Sequence, residues 1–137
     1  MKSLSFSLSQ QFNKAWIFAV IKPGFIKLAP DIISMFEERG WKLARITSKQ
    51  LQLREAHRLY MVHKKEDFYE DLCEYMASDL SVGMIFERPG RINKDMFKDV
   101  DELKDEIRKK WGENDMRNVL HSSDSLSAME QESQIYF

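Results

Sequence analysis

The feature that most constrains this chain is the unbroken apolar run Ala15-Trp16-Ile17-Phe18-Ala19-Val20-Ile21, stopped by Lys22-Pro23-Gly24. A run without alternation does not suit a half-wetted sheet face, and this one is too short for an ordinary helix. It reads as a central strand covered on both faces. At 137 residues the chain suits one domain and is long enough to build a core unaided. Hydrophobic residues are 43% and charged residues 31%, with five glycines and three prolines, a globular composition. No apolar stretch approaches the roughly 18 to 20 residues of a membrane span. The lone Cys73 can form neither an internal disulfide nor a cysteine-cluster metal site, and points to a reducing, cytoplasmic setting.

The remaining elements follow from periodicity. Pro30 and Asp31 open a helix with Ile32, Ile33 and Phe36 on one face and Gly40 as its stop. Trp41 to Lys49 reads as a second strand. Leu53, Ala56, Leu59 and Tyr60 keep helical spacing, as do Phe68, Leu72, Tyr75 and Met76, giving a helical hairpin joined near His63 to Lys65. Leu80 to Glu87 is a third strand, bounded by Arg88-Pro89-Gly90. Val100, Leu103, Ile107 and Trp111 stripe another helix, closed by Gly112. Val119-Leu120-His121 is a short fourth strand, and Ser127-Ala128-Met129-Glu130 fits a capping box opening a last helix. The order predicts an α+β fold: a ferredoxin-like, four-stranded antiparallel sheet covered by helices. Residues 1 to 14, where serines alternate with Leu4, Phe6 and Leu8, are an N-terminal tail or an edge strand, and the domain spans 15 to 137.

Lys plus Arg number 21 against 22 Asp plus Glu, a net charge of -1. That balance, and the absence of the aromatic signature of RNA-recognition modules, argues against a dedicated nucleic-acid binder. Lys22 ends a buried strand beside a glycine turn, a position from which an ammonium can meet a phosphate. From composition alone the commoner reading is a strand-ending charge left in water, and no P-loop pattern is present. His57 and His63 sit near helix ends among charges and read as exposed. His121 leaves a strand into the polar loop Ser122-Ser123-Asp124-Ser125. A neutral imidazole is a good nucleophile near pH 7 but needs a second group to fix its tautomer, for which Glu132 or Ser123 could serve. Arg88, Arg91, Lys94, Lys98, Arg108, Lys109, Lys110 and Arg117 make the third quarter rich in cations, interleaved with acids. Spacing does not say which of them face a ligand.

The combination of pieces resembles one family. Arg117-Asn118-Val119-Leu120-His121-Ser122-Ser123-Asp124-Ser125 is similar to the RN-x-x-HGSDS signature of nucleoside diphosphate kinases. In matching order, Val20-Ile21-Lys22-Pro23-Gly24 resembles the KPDG strand end, and Phe36-Glu37-Glu38-Arg39-Gly40-Trp41 the FE-x-x-GF stretch. Leu59-Tyr60 to Phe68-Tyr69 resembles the HY…PFF hairpin, and Ile107-Arg108 the IRG step. The resemblance covers residues 15 to 137.

It implies a ping-pong phosphotransferase. His121 would take the γ-phosphate of a nucleoside triphosphate and hand it to a nucleoside diphosphate. Glu132 would hold the ring with Ser123 nearby. Lys22, Arg108 and Tyr60 would contact the phosphates or the histidine, Phe68 would stack on the base and Asn118 would bond the sugar. Mg²⁺ would be carried by the nucleotide phosphates. The chain departs from the pattern in four places. Gly24 replaces an aspartate. Ser122 replaces a glycine, placing a side chain where the backbone is expected to want φ > 0. The segment between Glu87 and Arg108 is short and lacks the usual phosphate-binding threonine and arginine; Arg91, Lys94 and Lys98 are the candidate stand-ins for the arginine. The chain ends at Phe137. The short segment and that end point to a homodimer rather than a hexamer. The departures also leave open a catalytically weak kinase-fold module acting in nucleotide binding or assembly.

Overall fold

A computed structural model describes residues 14–137. The alternating strand-or-tail segment expected before residue 14 lies outside the described residues. Strand β1 (Lys14–Ile21) is the apolar run, and every residue after Lys14 is buried. It starts one residue before the expected domain boundary. It pairs antiparallel with β3 (Ser81–Pro89) on one side and β4 (Leu120–Ser122) on the other, and β2 (Lys42–Lys49) closes the far side of β3. The sheet order is β2-β3-β1-β4, all antiparallel, so the run is central as its composition demands.

Among the described residues five α-helices flank the sheet: α1 (Ala29–Glu38), α2 (Leu53–Leu59), α3 (Tyr69–Met76), α4 (Lys94–Trp111) and α5 (Leu126–Tyr136). Strand β3 shows how the layers divide. Phe86 stacks on Phe36 of α1 at 4.2 Å between ring centroids, while Gly83 lies under the Tyr136 ring of α5. Residues three apart in a strand face opposite ways, so α1 and α5 cover opposite faces. Helix α1 also packs on α4, and α2 packs on α3 and α5. A Cβ on Gly83 would stand 2.6 Å from the Tyr136 ring, so this strand position admits only glycine while α5 is docked.

Several boundaries differ from expectation, each for a local reason. Trp41 is not in β2. It is fully buried just before it, with its indole N–H on Asp99 at 3.3 Å and the Arg88 guanidinium 4.1 Å from its ring centroid. Leu80 precedes β3 and is exposed, and Tyr60 lies just past the end of α2, buried. Leu53, expected on the core stripe, is exposed. Helix α5 is capped by Ser125, whose hydroxyl accepts from the Ala128 N–H at 3.1 Å, so Ser127 falls inside its first turn. A capping box does occur at Gln52 and Glu55, opening α2. Helix α4 begins at Lys94, capped by Asn93, well before its expected stripe, and runs 18 residues without interruption. Ser122 sits in ordinary strand pairing with Ala19; the positive φ falls instead on buried Val119, at 81°. A β-branched residue there stores about 1–3 kcal/mol of strain in the turn leading to His121.

Candidate active site

Antiparallel pairing of β1 with β4 sets Val20 opposite His121 and Ile21 opposite Leu120. The residue after β1 is Lys22, and its N–H donates to the Val119 carbonyl at 2.8 Å. Lysine and histidine therefore meet at one end of the sheet because two strands meet there, although 99 positions separate them in the chain. Around them lies a cavity of about 530 Å³, within the range of small-molecule sites. Arg108 and Lys104 reach it from α4, Tyr60, His63 and Phe68 from the α2–α3 hairpin, and Ser123 and Glu132 from the β4–α5 corner.

The histidine is held by a definite pair of bonds. His121 Nε2 lies 2.7 Å from Glu132 Oε1, and the same oxygen accepts from the Ser123 hydroxyl at 2.8 Å. An accepting carboxylate oxygen makes Nε2 the protonated nitrogen and leaves the lone pair on Nδ1. The Tyr60 ring stands edge-on to the imidazole, 5.1 Å between centroids. Burial lowers the His121 pKa below the usual histidine value; Glu132 opposes that, and the positive charges of Lys22 and Lys104 push it further down. The ring is thus neutral at pH 7, the form a nucleophile needs.

Lys22 is 3% exposed and donates from Nζ to the Met116 carbonyl at 3.3 Å. Its burial, and then the neighbouring charges of Arg108 and Lys104, bring its pKa down to about 7. Arg108 donates from Nη2 to the Leu120 carbonyl at 2.8 Å, tying α4 to β4. Four atoms on cavity-lining residues are buried without a hydrogen-bond partner: Tyr60 Oη, Arg108 Nε, Asn118 Oδ1 and Ser122 Oγ. Buried polar atoms are ordinarily satisfied, so orphans gathered at one cavity point to a polar ligand.

A family model described as nucleoside diphosphate kinase matches residues 16–137. A nucleoside diphosphate kinase of Hyperthermus butylicus is 35% identical over 127 residues, covering 88% of this chain and 89% of that protein. One of Ignicoccus hospitalis is 34% identical, covering 88% of this chain and 86% of its own. The chain belongs to the nucleoside diphosphate kinase family. Its fold agrees: the crystal structure of the Encephalitozoon cuniculi nucleoside diphosphate kinase in its cubic apo form aligns with TM-score 0.77 at 25% identity, covering 89% of this chain and 88% of that one. The Aquifex aeolicus nucleoside diphosphate kinase aligns with TM-score 0.78 at 22% identity, over 90% and 95%. Membership makes the chain a phosphotransferase acting on nucleotides.

Among the residues expected from the nucleoside diphosphate kinase signature, the structure gathers Lys22, Tyr60, Phe68, Arg108, Asn118, His121, Ser123 and Glu132 around one cavity. Arg91 is not brought there. It is exposed in the turn between β3 and α4, and about 15 Å of helix separates the start of α4 at Lys94 from its cavity-lining part at Lys104. Lys94 and Lys98 stay outside for the same reason. Lys104, which spacing had not singled out, takes the inward position. Its signal is its place four residues before Arg108, useful only once α4 is known to be one helix. His63, read as exposed, is half-buried with its ring 5.5 Å from Phe68. Gly24, which departs from the family's KPDG, takes φ +90°, and a Cβ there would stand 2.8 Å from Arg117 Nη2. Arg117 lies over the Phe25 and Tyr75 rings, so the glycine makes room for the arginine that opens the signature.

Among the described residues no group of three or more His, Cys, Asp or Glu is placed to hold a metal ion. The cavity offers cations to a polyphosphate; of its carboxylates Glu132 is engaged by Ser123 and His121, while Asp115 and Asp124 are exposed side chains of its lining. That donor set fits a divalent ion carried on nucleotide phosphates. No helix among the described residues is long and apolar enough to cross a membrane.

Proposed function

We propose that the chain transfers the γ-phosphate of a nucleoside triphosphate to a nucleoside diphosphate by a ping-pong mechanism through a phosphohistidine at Nδ1 of His121. The observation that carries this reading is the Glu132 bond to Nε2, which leaves Nδ1 free to attack. The Nδ1 lone pair forms the N–P bond as the bond to the bridging β,γ-oxygen breaks, and the diphosphate leaves with that electron pair. Glu132 stabilises the positive charge that develops on the ring. Lys22 and Arg108 balance charge on the phosphates, and their positioning supplies most of the rate gain. A β-phosphate oxygen of the second diphosphate then takes the phosphoryl group and returns neutral His121. Mg²⁺ borne by the phosphates neutralises part of their charge.

In the same reading Phe68, 45% exposed at the cavity edge, is the stacking platform for the base. Stacking tolerates any base, which favours broad specificity. Asn118 anchors the sugar. The enzyme works in the cytoplasm as a homodimer, and strand β2 supports the assembly: it lies at a sheet edge with Ile46 48% exposed.

The test uses purified protein, Mg²⁺ and γ-labelled ATP, followed by a GDP chase. An acid-labile label on His121 that moves to GDP is the expected result. Nucleotide binding with no label would replace this reading by a binding module.

A further inference from the structure

We propose that Lys104 is a third phosphate-binding cation of this cavity, carried there by the unbroken course of α4 and released from Asp101 when the terminal phosphates of a nucleotide enter. The inference rests on the phosphotransfer reading and adds a residue to it. Nucleotide phosphates bring several negative charges, and the candidates expected between Glu87 and Arg108 stay outside the cavity. Helix α4 is continuous from Lys94 to Trp111, so positions 104 and 108 lie one turn apart on one face. Both line the cavity with Lys22 and His121.

The Lys104 side chain is 16% exposed, unusual for a residue type that is mostly solvated. Its ion pair is Asp101, 3.5 Å away, and that carboxylate is 57% exposed. Such a pair binds weakly and yields readily to a better anion. The charge of Lys104 is nonetheless felt at Lys22 and at His121, where it disfavours protonation. Lys22, Lys104 and Arg108 repel one another in the protein alone. An entering polyanion turns that repulsion into attraction, and a flexible four-carbon stem lets the ammonium follow it.

The experiment compares Lys104→Met, Lys104→Arg and Asp101→Asn with wild type, and uses Lys109→Met, an exposed α4 position outside the cavity, as control. ADP and adenosine binding are measured by calorimetry, and phosphotransfer by steady-state kinetics. Lys104→Met is expected to weaken ADP by about tenfold or more and to lower kcat/KM similarly, while adenosine affinity holds. Lys104→Arg should recover most of the loss, Asp101→Asn should tighten ADP by about twofold or more, and Lys109→Met should match wild type. ADP affinity and kinetics unchanged in Lys104→Met overturn the proposal. If Lys104→Met does not fold, failure of Asp101→Asn to tighten ADP, with ADP binding lost in Lys104→Arg, overturns it as well. Wild type that binds ADP but transfers no phosphate sinks the functional reading while the ADP comparison still decides Lys104. Wild type that binds no ADP sinks both.

Discussion

His121 can attack only as the tautomer with its proton on Nε2, and one oxygen of Glu132 decides that. Replacing Glu132 by Gln keeps the size but lets the amide donate to Nε2, which moves the proton to Nδ1. Transfer should fall by about 10²–10⁴-fold in kcat while nucleotide affinity changes little, as single-turnover labelling and ADP titration would show. The pH profile should have two limbs. Acid protonates His121 and removes its lone pair, so transfer falls as pH drops through its lowered pKa. Lys22 titrates at about 7 in the free protein. Bound phosphate favours its charged form, so ADP affinity should decline as pH rises above that value. Flat ADP affinity between neutral and alkaline pH would exclude this role for Lys22. At this scale the sequence was informative where local order carries the chemistry: Asn118, His121, Ser123 and Glu132 follow one another across β4 and α5. It was silent on Lys104, whose aim depends on helical phase.

Helix α5 carries Glu132 and is moored on the sheet by Tyr136. The Tyr136 hydroxyl shares a hydrogen bond with Ser81, and Lys49 donates to the Ile135 carbonyl at 2.8 Å. Gly83→Ala should drive its methyl into the Tyr136 ring, shift α5 and cost about 1–3 kcal/mol of stability by denaturant titration. Phosphohistidine formation should fall with it, because Glu132 moves. At the other end of the sheet, Asp99 accepts from Arg39 at 2.6 Å, Arg88 at 2.8 Å and Trp41 at 3.3 Å. Burial pushes the Asp99 carboxyl up, but these hydrogen bonds outweigh it and hold the pKa below its ordinary range. Its stabilising effect is therefore complete at neutral pH and is lost as pH falls through that lowered value. Asp99→Asn should cost about 1–3 kcal/mol near pH 7, with the difference from wild type shrinking in acid. Element identities were largely legible from periodicity. The start of α4 was missed, although Met96 continues the stripe of Val100, Leu103 and Ile107 one turn earlier and Asn93 stands before it as the cap.

At the scale of the molecule, β2 is an outer strand among the described residues and has no buried residue, and its pairing with β3 is interrupted by a bulge between Leu43 and Arg45. Ile46→Lys should convert the proposed dimer to monomer, read as a halved mass by light scattering; an unchanged mass would place the interface elsewhere. The sequence by itself determined the central strand, since seven contiguous apolar residues admit no wetted face. It determined the order of strands and helices, and the polar run through His121 that marks the family. Only the tertiary structure decided the His121 tautomer, the depressed Lys22 pKa and that Lys104, not Arg91, Lys94 or Lys98, lines the cavity. Each of these is set by distances between residues far apart in the chain: β1 against β4, α4 against both, α5 folded back over His121. Hydropathy patterns record which face of an element is buried, and cannot record which buried faces meet.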